Sequence, residues 1–233
     1  MTLSQKISLS ILFVTIFTVG IAGFFVFTRT KSALEESISD NQLEVTRQTM
    51  DKIDRLLYER YLDILSIAEG TVFLSQYEER AITISPEDLT KEFNENIVLT
   101  GPWDFLFAVD RSGTIVITTD EEKLGQSILY NKPYERAFEH ALQGGVYYSD
   151  FEVSTYTSKP TVIFAAPIKS KEFGRPILGV VMGNFAWPAV LEVLEELKET
   201  AYLYSSQGLL IGSSDPDESS EDLLRNDSKN GIV

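Results

Sequence analysis

Cysteine is absent from this chain and histidine occurs once, at His140. The first absence excludes disulfides, thiolate nucleophiles and Cys-ligated metals. The second leaves no histidine pair for a metal or a nucleophile, and no Gly-x-Ser-x-Gly, Gly-x-Gly-x-x-Gly or phosphate loop takes their place. His140 itself, between Glu139 and Ala141, falls on the polar side of an amphipathic stretch and reads as a surface residue. Basic residues are also scarce. Twenty Lys and Arg stand against 35 Asp and Glu, a formal net charge of −15 with a pI near 4.5, which works against nucleic acid and anionic lipid surfaces. The acidic run Asp215, Asp217, Glu218, Glu221, Asp222 lacks the Gly and ligand spacing of a calcium loop and reads as solvated. No catalytic residue, metal ligand or cofactor is assigned. Among so many acids a carboxylate pair for hydrolysis has no distinguishing signal.

What the chain does have is apolar runs in order. At 233 residues and 43% hydrophobic it has the material for a sizeable core. Ile7 to Thr28 holds no charged residue and is long enough for a helix across ~30 Å of hydrocarbon. The run exceeds the core of a signal peptide, and Phe24, Phe25 and Phe27 suit a peptidase site poorly, so an uncleaved anchor is expected over residues 1–29. Lys6 on one side and Arg29 with Lys31 on the other leave its orientation open. Residues 30–70 read as one long polar helix, free of Pro and Gly until Gly70. Met50, Leu57 and Ile64 repeat at seven residues, with Ile53 and Ile67 between them and Arg60 interrupting. This seam serves a second copy of the helix, the chain's own domain, or both.

Residues 71–188 carry the main domain. Ser85-Pro86-Glu87-Asp88 opens a helix with Leu89, Phe93, Asn96 and Ile97 on one face, closed by Gly101-Pro102. Leu106–Val109 and Thr114–Thr118 flank the turn Asp110-Arg111-Ser112-Gly113 and predict a hairpin. Pro133 to Leu142 predicts a helix with Tyr134, Ala137, Phe138, Ala141 and Leu142 inward, stopped by Gly144-Gly145. Strands are expected over Val146–Val153, Thr161–Ile168 and Ile177–Phe185. Five antiparallel strands around one helix make an α+β fold with one sheet face free to hold something. From 189 to 233 a connector helix, Ala189 to about Glu199, precedes Ala201–Tyr204, Ser205–Gly208 and Leu209–Ile211, a second hairpin with the grammar of the first. The helix and strands that would complete a repeat do not follow, so a front part or a shortened form of a longer protein is expected.

This order of anchor, long helix, sheet with inserted helix and second hairpin resembles the double Cache (dCache), PAS-like sensor region of bacterial transmembrane receptors: chemoreceptors, sensor histidine kinases and diguanylate cyclases. The second module is present only as its beginning. The resemblance implies a cytoplasmic N-terminus, a sensor domain outside the cell inner membrane and a small organic ligand; the seam adds the expectation of a homodimer through the stalk helix, and the missing motifs that of no catalysis in this segment. Amino-acid-binding members hold the ligand with an Arg followed two residues on by an aromatic, a Tyr-x-Asp on the next strand and an Asp on the last. Here Lys132-Pro133-Tyr134, Tyr148-Ser149-Asp150 and Asn184 match those elements. Lys132 lacks the paired donors of a guanidinium and Asn184 lacks charge, so an uncharged or anionic ligand fits as well as an amino acid. Tyr130 and Trp103 are expected to border the same face. Two other readings stand beside the sensor: a structural or dimerisation module without ligand, and a carboxylate-dependent hydrolase.

Overall fold

The computed structural model describes residues 3–70, 91, 93–94, 100–170 and 173–215, with side chains at 13 and from 15 onward. The helix expected from Ser85 lies outside these residues except at Lys91, Phe93 and Asn94, and so do Asp217, Glu218, Glu221 and Asp222. The chain divides into two compact units, residues 1–51 and 52–233.

The described residues of the first unit, 3–51, are helical, as part of α1 (Leu3–Glu69). Its aromatic and aliphatic side chains, including Phe13, Phe17, Phe24, Phe25 and Phe27, stand exposed. Among the described residues no helix is long and apolar enough to cross a membrane. The expected span, Ile7 to Thr28, begins among side chains outside that description.

The second unit is built on a five-stranded antiparallel sheet of order β2-β1-β7-β6-β3. Its strands are β1 (Trp103–Asp110), β2 (Ile115–Thr118), β3 (Tyr147–Tyr148), β6 (Ile163–Lys169) and β7 (Ile177–Phe185). The helix α2 (Lys132–Leu142) lies between β2 and β3 in the chain, where the periodicity predicts it. Strand alternation sorts the apolar residues onto two faces. Phe105, Phe107, Val109, Ala165, Val180 and Met182 pack with Tyr134, Ala137, Phe138 and Ala141 of α2. Leu106, Ala108, Phe164, Ala166, Val181 and Phe185 pack with Ile53, Ile64 and Ala68 of α1. The upper part of the heptad seam is therefore spent inside the chain's own domain. Arg60, expected only as an interruption, is itself buried, with its guanidinium 2.9 Å from Asp63.

Two expected strands break in two, Thr161–Ile168 at Val162 and Val146–Val153 after Tyr148. Val146–Val153 contributes only Tyr147 and Tyr148 to the main sheet, and Glu152–Val153 (β4) pairs instead with Pro160–Thr161 (β5). Ser149 ends the ladder: its backbone N–H donates to the carbonyl of Ile163, while its hydroxyl accepts from the Ile163 N–H at 2.9 Å. A side chain that takes over a backbone partner releases the strand to turn away.

After β7 comes α3 (Pro188–Glu195) and the two-stranded β8 (Tyr202–Tyr204) and β9 (Leu210–Ser213). Trp187 donates its indole N–H to the carbonyl of Ile211 at 2.6 Å and joins this hairpin to the α1-side core. The repeat seen in the sequence extends to the turns themselves. Asp110 N–H bonds the carbonyl of Thr114 and its carbonyl accepts from Gly113, at 2.9 and 3.0 Å; Ser205 does the same with Leu209 and Gly208 at the same distances. Gly113 and Gly208 adopt φ of 78° and 74°, a conformation that costs an L side chain strain.

Candidate functional site

Between α2 and the sheet the two faces meet in a buried polar network. The first turn of α2 starts after Asn131, whose extended backbone caps it, and Pro133 fits an N-terminal helical position. Tyr134 then falls on the buried side with Ala137, Phe138 and Ala141. On β7 Asn184 shares its face with Val180 and Met182, so its amide points at α2. The Tyr134 hydroxyl lies 3.0 Å from Asn184 Oδ1 and 2.8 Å from Nδ2. Both groups close on Ser154 Oγ, at 2.9 Å from Tyr134 and 2.7 Å from Asn184 Nδ2. All three residues are fully enclosed.

Ser154 starts the loop that joins β4 to β5. Its hydroxyl oxygen also accepts from the backbone N–H groups of Tyr156 and Thr157, each at 3.1 Å. The loop closes on itself through Ser154 N–H to Lys159 O and Ser158 N–H to Ser154 O, both 2.8 Å. It places the half-buried ring of Tyr156 4.8 Å from Tyr134, 5.2 Å from Phe105 and 5.8 Å from Phe107, centroid to centroid. Asn131 donates its side-chain amide to Thr155 Oγ1, which ties the loop to the start of α2. Lys159 reaches Asp104 on β1 at 3.0 Å.

Burial sets the electrostatics. It pushes the Tyr134 phenol up to about 12, against the opposing hydrogen bonds of Ser154 and Asn184. Burial likewise raises Tyr156 and Tyr147, the latter opposed by Arg136. Glu152 is the acid of this region, and burial raises it against a Ser149 hydrogen bond and the charge of Arg136. Its Oε1 is buried with no hydrogen-bond partner among the described residues. Unlike a paired carboxylate, such a group is held in a costly state. Among the described residues no group of His, Asp or Glu is placed to hold a metal ion.

The structure brings together only two of the residues singled out in the sequence, Tyr134 and Asn184. Tyr148 and Trp103 lie on the opposite, α1-facing side, both against Phe164 with centroids 6.4 and 5.9 Å away. For Tyr148 parity is the reason, since β3 pairs Tyr147 with Ala165 and Tyr148 with Phe164, so Tyr147 faces α2 and Tyr148 turns away; Trp103 leaves the face of Phe105 at a register shift between the two. Tyr130 is 93% exposed, and Lys132 and Asp150 are exposed on the rim. The expected single cup of Trp103, Tyr130, Lys132, Tyr134, Tyr148, Asp150 and Asn184 is therefore not formed. The residues missed were Ser154, Tyr156, Glu152, Phe105 and Phe107. No sequence pattern distinguished Ser154, the residue that meets Asn184.

Comparison with known proteins shows what shares the fold. No protein-family model and no curated protein matches the chain. Solved structures do. The sensor domain of the V. cholerae histidine kinase DctB is similar with a TM-score of 0.63 at 13% identity, over 78% of this chain and 68% of that one. The sensory domain of the Campylobacter jejuni chemoreceptor Tlp3, with isoleucine bound, gives 0.59 at 12% identity, over 81% and 78%. The ligand-binding domain of the Pseudomonas aeruginosa PAO1 amino acid chemoreceptor PctC, in complex with GABA, gives 0.58 at 16%, over 80% and 78%. The chain thus has the Cache sensor-domain fold, and its structural neighbours are sensor and ligand-binding domains of chemoreceptors and a histidine kinase.

Proposed function

We propose that the chain is the ligand-sensing, extracytoplasmic part of a membrane-bound signal-transduction receptor. Residues 52–233 bind a small organic molecule between α2 and the sheet, and binding changes how α1 packs on the opposite face. The observation that carries the reading is the Tyr134–Ser154–Asn184 network, a cluster of directional polar groups walled by Phe105, Phe107 and Tyr156. Apolar walls with a few oriented polar groups are the usual make-up of a small-molecule site. Ser154 and Asn184 are both neutral, which favours uncharged or carboxylate-bearing ligands over those recognised by an ammonium alone. The Tlp3 and PctC domains, with isoleucine and GABA, support the size class of the ligand.

The membrane half of the proposal rests on the uncharged run Ile7–Thr28 and on the exposure of Phe13, Phe17, Phe25, Val19 and Val26 all round the helix. The domain's role is binding, not catalysis. Exposed Leu34, Ile38 and Val45 support a homodimer through the same helix. A second reading, a tethered scaffold without ligand, draws on the network's self-satisfaction: its three side chains already bond one another and Tyr156 covers them.

The test is a thermal-shift screen of the full chain in detergent against amino acids, organic acids and neutral metabolites. The sensor reading expects a compound that raises the melting temperature of the wild type and fails to do so for Asn184→Ala. A panel without any such compound favours the scaffold.

A further inference from the structure

The geometry points to a relay from the loop over the site to α1, through Lys159–Asp104 and the seat of Arg60 on Gly101. It rests on the reading of the network as a ligand site and names the parts that report its state.

The loop 154–159 closes locally on itself, and beside the Asn131–Thr155 bond, the Ser154 network and the stacking of Tyr156 it is tied outward by the ion pair of Lys159 with Asp104. Asp104 is largely enclosed, its second carboxylate oxygen has no partner among the described residues, and the next residue is Phe105, a wall of the site. One pair therefore links the loop to the entry of β1. Three residues earlier the chain passes Gly101 at φ 120°. A Cβ there would stand 1.5 Å from Arg60 Nη1 and 2.5 Å from its Cζ, so the guanidinium of α1 occupies the space a side chain at this residue would take. Arg60 is 7% exposed and is held at 2.9 Å by Asp63 one helical turn on. A buried cation with a fixed partner has few alternative places to go, because leaving its seat means losing a pair that burial makes costly to break. Between the two contacts the backbone from 101 to 104 is short and anchored: Trp103 N–H bonds Gly101 O at 3.0 Å, and Ala186 N–H bonds Pro102 O at 2.9 Å. A shift of the loop that pulls Asp104 is passed along this segment to Arg60, and so to the helix.

Linkage requires the coupling to run both ways. The experiment is hydrogen exchange on the full chain in detergent, without ligand, for wild type, Lys159→Met, Gly101→Ala and the control Lys169→Met. Lys169 makes a comparable surface tie, to Gly144 O at 3.1 Å, outside the relay. Lys159→Met is expected to raise exchange about threefold at α1 amides 57–64, and Gly101→Ala to raise it at loop residues 154–159, with Lys169→Met changing neither. Should Gly101→Ala fail to fold, Arg60→Lys replaces it, since the ammonium cannot reproduce the planar guanidinium seat. Exchange that changes only on the mutated side, or equally in the control, overturns the relay. Because no ligand is added, this outcome is separate from the screen that tests the site.

Discussion

The Tyr134 hydroxyl and the Asn184 amide, fifty residues apart in the chain, exchange hydrogen bonds at 3.0 and 2.8 Å inside a wall of aromatic rings. Neither group has water as an alternative partner, so each is committed to the other and to Ser154. The pair joins the helix above the sheet to the last strand of the sheet, and the loop after β4 closes over it.

Removing one member leaves its partners unmatched in a buried place. Asn184→Ala is expected to cost about 2 kcal/mol of folding stability, within the ~1–3 typical of a buried polar group left unsatisfied. Tyr134→Phe is expected to cost a similar amount, and the double variant less than the sum. Denaturant unfolding of the three proteins measures this. Additive losses mean that the two groups do not act together.

The phenol gives a pH signature. With Tyr134 held neutral to about 12 in the folded chain against 10 unfolded, its contribution to stability is complete below pH 10 and is lost as pH rises towards 12. Its ionisation in the folded protein is expected only towards pH 12. Ultraviolet titration of wild type and Tyr134→Phe shows it as a late step missing from the variant.

Glu152 works in the opposite sense for an acid. Burial raises its pKa in the folded chain, so the charged form penalises folding at neutral pH and the penalty fades as pH falls through the raised value towards 4.5. Glu152→Gln is expected to raise the melting temperature at pH 7 and to match the wild type near pH 4. A variant less stable than wild type at pH 7 shows that the carboxylate is paired after all.

The fit of α1 on the sheet is tested at Ile64, wholly buried against the α1-side core. Ile64→Ala is expected to cost ~2–5 kcal/mol, as for other large-to-small core changes. Exposed Leu62, two residues earlier, is the control, and Leu62→Ala is expected to stay within about 0.5 kcal/mol. Equal losses at both positions contradict the packing described.

Much of this arrangement could be read from residue order. The turns at Asp110–Gly113 and Ser205–Gly208 announce themselves by a polar residue that accepts backbone N–H bonds and a glycine at positive φ, so both hairpins were legible. The inward face of α2 followed from periodicity, which is how Tyr134 was found. The site was harder because it depends on parity. Tyr147 and Tyr148 are indistinguishable in a run read as one strand, and the break at Ser149 comes from a hydroxyl that competes for the N–H of Ile163, a tertiary event. Ser154 was passed over for the same reason, since a serine in a polar turn carries no sign that three N–H donors and the Tyr134 hydroxyl will converge on it. Arg60 looked like a fault in a heptad and proved to be buried, because the path of the chain at Gly101 brings it a neighbour from outside its own helix.

The central claim is that a small molecule enters between α2 and the sheet at this network. A crystal structure of the chain grown with a compound that raises its melting temperature tests it directly. The account expects density within hydrogen-bond distance of Asn184 or Ser154, with the Tyr156 ring moved from its place against Phe105. Density on the opposite face, beside Trp103 and Tyr148, or an undisturbed Tyr156 with the compound elsewhere, contradicts it.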